Sequence, residues 1–375
     1  MKHGSSPEAR GARRGQEGFT LAEMLVAMTV MLVVMGAIFS LVDPSTATSR
    51  AQPEASDMQQ RMRIATDQLS KDLIMAGAGT YSGSVSGALS NYFAPIMPFR
   101  MGTLFPTEPG ERHFRDRITI AYVPNTAAQT RIREQMPRPS SEVKVDAQPG
   151  CPTGDELCGF EEGMRVLIFD KTGAFDFFTI TQVQTDALHL QHAPPTNPED
   201  FSKAYRPEDN ARIARVETHT YYIDAVTNQL MHYWGDNRPP EPLVDNVVGL
   251  AFQYFGDPNP PVEPNPGPGN TNCIYDAAGN PLLPILPSNG STLIELPGGL
   301  FKEGTLCGAW PNIFDADLYR VRKVRVTVRI QAPDGLRGLD PFLFQNPRES
   351  SSAYRVIPDY EMTFEIAPRN MTLTR

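Results

Sequence analysis

From Met24 to Val42 every side chain is uncharged and nearly all are apolar. As a helix rising about 1.5 Å per residue, this run covers most of the roughly 30 Å hydrocarbon core of a bilayer. It is therefore expected to span a membrane. Arg10, Arg13 and Arg14 lie just before it, and such residues are held on the cytoplasmic side, so the remainder of the chain is expected on the far side. A cleavable secretory signal would have a shorter apolar region, about 7–15 residues, ending at a small-residue site. Here the run leads instead to Asp43 and Pro44. Glu23 breaks the pattern at the start of the run, where a lone carboxylate is costly unless paired.

Pro44 is expected to interrupt the helix, and 45–53 to form a polar neck. Beyond it Met58, Met62, Ala65, Leu69, Leu73 and Ala76 recur at three- and four-residue steps, with Arg63, Asp67 and Lys71 on another face. This predicts an amphipathic helix capped by Ser56 or Asp57 and stopped by Gly77 and Gly79. Its stripe is short and followed at once by strand-like sequence, so it is expected to pack on a sheet of the same chain rather than in a coiled coil. Residues 80–116 read as a long loop or small subdomain with an apolar patch from Tyr92 to Phe99.

Period-two alternation then predicts strands at Arg117–Val123, Met164–Phe169, Phe175–Val183, Ala187–Gln191, Ala214–Ile223, Gln229–Trp234, Val244–Phe255, Val324–Ile330 and Tyr360–Ile366. Asp170–Gly173 and Asp224–Asn228 are expected turns; Gly249 and Arg322–Lys323 are expected bulges. The serial strands suggest an antiparallel meander. Residues 256–316 are Pro/Gly-rich, contain two cysteines, and read as a surface insertion. The fold class expected is α+β: a long N-terminal helix followed by an antiparallel β-sheet head with loop insertions. Its parts are a leader (1–18), a transmembrane and assembly helix (19–43), a neck with the amphipathic helix (44–79), and a β-rich head (80–375) carrying the 256–316 insertion.

The leader ending in Gly18, then Phe19-Thr20-Leu21-Ala22-Glu23 and the apolar run, resembles the class III prepilin signal of type IV pilins and secretion pseudopilins. The resemblance implies that a prepilin peptidase cuts between Gly18 and Phe19, that the new α-amine of Phe19 is methylated, and that Glu23 pairs with such an amine on a neighbouring subunit. Pairing the charges across subunits would relieve the burial cost of each. An ordinary signal anchor, its glutamate at headgroup level, is the alternative. Helix residues Gln68–Gly77, the strand segment Leu243–Tyr254 and Arg369-Asn370 are similar to the PilW group of minor pilins, relatives of the J-type secretion pseudopilins. The resemblance implies a minor pilin that primes or caps type IV pilus assembly at the inner membrane, its head in the periplasm and then on the cell surface. Partners would be the prepilin peptidase, other minor and major pilins, and a pilus-tip adhesin. A minor pseudopilin of a type II secretion system is the second reading; an anchored adhesin or enzyme is a distant third.

Composition narrows the rest. The 375-residue chain has a net charge of −9, which argues against nucleic-acid binding through bulk electrostatics. Cys151, Cys158, Cys273 and Cys307 all follow the apolar run, on the side expected to be oxidising. Three pairings are possible. The local pairs, 151 with 158 and 273 with 307, are preferred because each closes a Pro/Gly-rich loop. A four-thiolate zinc site would need short Cys-x-x-Cys spacings that are absent. Among the six histidines, His189-x-x-His192 is a weak metal pair on a strand, and His219 and His232 stand far apart in sequence. The Asp257 loop and Asp276–Asn280 lack the alternating ligands of a calcium loop. No nucleophile elbow, phosphate loop or His-Glu-x-x-His occurs, and Ser350–Ser352 lie in polar sequence. Neither catalytic residue, metal nor cofactor is expected, and the chain is read as a structural subunit rather than an enzyme. The basic stripe Arg320, Arg322, Lys323, Arg325 and Arg329 reads as a solvated strand face.

Overall fold

The computed structural model describes residues 19–79, 88–98, 117–124, 128–138, 140–148, 150–192, 201–235, 238–308, 313–333 and 357–372. The leader, including Gly18, lies outside them, as do Ser350–Ser352 and most of the 80–116 segment. The chain divides into two compact units, Met1–Ala55 and Ser56–Arg375.

In the first unit a single element is described, the leading part of helix α1 (Leu21–Met75). The interruption expected at Pro44 is not found, for α1 runs through both Pro44 and Pro53. A proline removes one i→i−4 bond, while the turns on either side keep theirs. Among the described residues, Leu21–Phe39 is the one helical segment long and apolar enough to cross a membrane, and its side chains are exposed.

The second unit starts inside α1. Met58, Met62, Ala65, Leu69, Leu73 and Ala76 are all buried, and Arg63, Asp67 and Lys71 are exposed, as their spacing predicts. Ser56 and Asp57 are internal rather than caps, and Asp57 forms an i,i+4 ion pair with Arg61. Gly77 ends the helix with φ +75°. A Cβ there would lie 3.1 Å from Met371 Cγ and 3.2 Å from Pro95 Cγ, so glycine is needed for both conformation and space.

The strands, all paired antiparallel, are β1 (Ile96–Pro98), β2 (Ile118–Tyr122), β3 (Gln129–Arg131), β4 (Glu142–Lys144), β5 (Arg165–Phe169), β6 (Phe175–Gln184), β7 (His189–His192), β8 (Arg212–Arg215), β9 (Glu217–Asp224), β10 (Gln229–Tyr233), β11 (Glu241–Asp245), β12 (Val247–Gly256), β13 (Ile294–Leu296), β14 (Leu306–Cys307), β15 (Phe314–Asp315), β16 (Val321–Ile330) and β17 (Tyr360–Ile366). They form a five-stranded sheet β1-β2-β9-β10-β11, a six-stranded sheet β3-β8-β5-β6-β7-β4, a four-stranded sheet β13-β12-β16-β17 and the β14-β15 pair.

This is not a simple meander. The whole six-stranded sheet is spliced between β2 and β9, with its own core around Val143, Val166, Ile168, Ile180, Leu190 and Ile213. The segment 214–223, expected as one strand, is therefore two, β8 and β9, which part at Val216 and enter different sheets. The run 244–255 likewise splits at Asn246, whose φ of +58° turns the chain from β11 into β12. Bulges fall at the two expected places: register shifts between Val247 and Gly249 opposite β16, and between Val321 and Lys323 opposite β12. In β16, Val324, Val326, Val328 and Ile330 are fully buried.

Residues 256–316 are more structured than a surface insertion. β13 extends the four-stranded sheet, and Ile274, Leu283, Leu296 and Phe301 are buried. Both disulfides form as preferred, Cys151–Cys158 and Cys273–Cys307. Asp276 accepts bonds from the backbone N–H of Ala278 and Asn280 and from the Asn280 amide, making a closed turn.

Candidate functional site

The N-terminal signal residues begin at Phe19, which precedes α1 and is exposed. Thr20 is the residue before the helix and Glu23 lies in its first turn. Thr20 N–H donates to Glu23 Oε2 at 2.9 Å, and Glu23 N–H donates back to Thr20 Oγ1 at 3.3 Å. The Thr20 hydroxyl also donates to Oε2 at 2.9 Å. This reciprocal capping box satisfies amide groups that the first helical turn leaves open, and it places the carboxylate beside the positive end of the helix dipole. Glu23 thus has a partner within its own chain. Every group in the box belongs to Thr20 or Glu23, so cutting the Gly18–Phe19 bond would leave it intact. The carboxylate is held at the N-terminal end of the helix, the end at which a freed α-amine on Phe19 would stand.

Of the remaining candidates, the four cysteines are consumed by the two disulfides. His189 lies 3.4 Å from Glu142, whereas His192 is buried against Phe178 and Phe201 on the other face of β7, so the two do not converge. Four of the five basic residues of the stripe form ion pairs with carboxylates of the same chain. Arg320 is buried on Asp317, while Lys323 and Arg325 share Glu365, whose carboxyl their hydrogen bonds hold below its ordinary range.

His219 and His232, far apart in sequence, are brought together by the fold. They meet at 2.9 Å between Nδ1 and Nε2, and Asp72 of α1 joins them. Strand parity carries this signal. His232 pairs with Tyr221 across the β9–β10 hairpin, and Tyr221 shares a sheet face with His219 two residues away.

Residues 13–39 match the family described as the prokaryotic N-terminal methylation motif. The pilin-like protein PilA3 of Thermus thermophilus is 30% identical over 109 residues, 29% of this chain. The match spans 42% of the length of that curated relative. No solved structure matches. The chain carries a type IV pilin signal, the N-terminal methylation motif, on an apolar helix ahead of a mostly β head, and is similar to a pilin-like protein.

Proposed function

We propose that this chain is a minor pilin of the PilW type, a non-enzymatic subunit that primes or caps a type IV pilus together with other minor and major pilins. The observation that carries the reading is the signal Gly18-Phe19-Thr20-Leu21-Ala22-Glu23 at the head of the apolar Leu21–Phe39 segment. A prepilin peptidase cuts before Phe19. The apolar helix then holds the chain in the inner membrane, with the head in the periplasm, until it enters the fibre. There Glu23 exchanges part of its capping contact for the α-amine of a neighbouring subunit. That cation replaces neutral donors around a carboxylate in a low-dielectric setting, where charge pairing is strongest. A subordinate rather than bulk role is supported by the head. Residues 80–375 carry a spliced six-stranded sheet and the 256–316 extension, an irregular load for dense helical repetition.

Two measurements test the reading. Mass spectrometry of the membrane-extracted protein should find a methylated N-terminus at Phe19; an intact Met1 in cells with active prepilin peptidase contradicts it. Deletion of the gene should abolish or sharply reduce surface pili with secretion intact. Loss of secretion with normal piliation would instead make the chain a secretion pseudopilin.

A further inference from the structure

Between α1 and the five-stranded sheet lies a polar cluster in an otherwise apolar layer. Asp72, His219 and His232 are 0%, 2% and 6% exposed. Asp72 Oδ1 accepts the Tyr122 hydroxyl at 3.2 Å, and Oδ2 accepts the Gln68 amide at 3.2 Å and the Tyr221 hydroxyl. Tyr122 has one proton. With that proton given to Asp72, its oxygen must accept from His219 Nε2, 2.9 Å away. His219 is thereby the Nε2–H tautomer, and its Nδ1 presents a lone pair. That lone pair stands 3.4 Å from Asp72 Oδ2 and 2.9 Å from His232 Nε2.

Two acceptors thus face each other inside the head, one of them a carboxylate. Such a pair is unfavourable in a low-dielectric interior unless a proton or a cation lies between them. Among the described residues no lysine or arginine forms an ion pair with Asp72; His219 is its sole ionic contact.

We propose that Asp72 Oδ2, His219 Nδ1 and His232 Nε2 form a binding site for a divalent ion of the zinc class. The three atoms lie within 4.8 Å of one another. Two imidazoles and one carboxylate suit zinc and its transition-metal neighbours, whereas calcium and magnesium take oxygen ligands throughout. Bonds of about 2.0–2.1 Å in a tetrahedron put ligand atoms roughly 3.3 Å apart. The carboxylate–imidazole separation already has that value. In the metal-free site His232 Nε2–H donates to the His219 Nδ1 lone pair. Ligation therefore requires His232 to carry its proton on Nδ1 instead and the two nitrogens to open by roughly 0.4 Å, giving up one hydrogen bond for two metal bonds. Tyr122 fixes the His219 tautomer and holds the second carboxylate oxygen, the role that outer partners play around bound metals. Gln68 yields its contact to Oδ2 but keeps another, to the Tyr221 hydroxyl at 3.2 Å. Trp234 packs on both imidazoles, with ring centroids 4.8 and 4.6 Å away. It also lines an open cleft of about 380 Å³ with Glu217, Thr218 and Arg238. Bound there, the ion would clasp α1 to β9 and β10.

The test uses the full chain, purified in detergent and stripped with a chelator. Titration with zinc should bind one equivalent per chain and raise the melting temperature. Cobalt(II) should give the intense visible bands of a tetrahedral site. Asp72→Asn and His232→Gln, which keep volume and most hydrogen bonds, should each weaken binding at least ~100-fold and lose the thermal shift. Near-UV circular dichroism of the metal-free proteins separates loss of the site from loss of the fold. His192→Gln should bind as the wild type does. A wild-type chain that binds no zinc overturns the proposal, as does equal binding by the folded Asp72 and His232 variants.

Discussion

At the scale of single residues, Glu23 stands between two partners. In the isolated chain Thr20 holds it; in a fibre a neighbour's α-amine would. Glutamine at this position keeps a carbonyl oxygen that can accept from Thr20, so the helix start survives, but it cannot pair with a cation. Glu23→Gln is therefore expected to yield a processed, membrane-inserted protein whose incorporation falls at least about tenfold, the factor for a loss of about 1.4 kcal/mol and a modest share of a charge-assisted bond. Immunoblots of sheared surface fibres against the membrane fraction read this directly. Unchanged incorporation would remove the charge from the assembly step. The pilin signal was fully legible in the sequence because its residues are contiguous. The Asp72–His219–His232 cluster was hidden because its members are separated by long stretches of chain and converge only once the β9–β10 register and the seat of α1 are known.

At the scale of elements, the helix stripe and the alternation in β16 were readable because each buries one face in a regular period. The breaks at Val216 and Asn246 were not, because strand-forming residues lie on both sides of each and only the change of sheet separates the strands. Pro44 misled in the other direction, as local propensity predicted a break where α1 continues. The stripe also makes a quantitative claim. Leu69 is fully buried, so Leu69→Ala should destabilise the head by about 2–5 kcal/mol through lost burial and an unfilled cavity. Arg63→Ala, on the exposed face, should change stability by no more than about 0.5 kcal/mol. Denaturant titration of the two variants compares them; equal effects would mean the stripe does not seat the helix.

At the scale of the whole molecule, the two disulfides do different jobs. Cys151–Cys158 closes a separation of 7 residues, and Cys273–Cys307 one of 34. Loop-closure entropy makes the longer link worth about 3–4 kcal/mol and the shorter about 2–3 kcal/mol. The longer link also ties the 256–316 segment that supplies β13 to the edge of β12. Replacing Cys273 and Cys307 by serine should therefore lower the melting temperature more than replacing Cys151 and Cys158. Hydrogen exchange should show the added loss of protection concentrated in β13 and β12.

The splice between β2 and β9 sets an order of events. Thr119 and Thr220, which share a hydrogen bond of 2.8 Å across those strands, are 101 residues apart. In the proposed topology the N-terminus stays on the cytoplasmic side and the chain beyond the apolar segment crosses in sequence order, so the outer part of α1 and β2 arrive outside long before β9. Their apolar faces then have nothing to cover them, and a strand without its neighbour is an invitation to pair with another chain. The spliced sheet can begin sooner because β5 and β6 meet across a tight turn, and each local pairing shortens the remaining gap. The head thus matures from its middle outward. The sheet that holds β2 and β9 is the last to close, which makes newly exported subunits most dependent on protection while they are still tethered to the membrane.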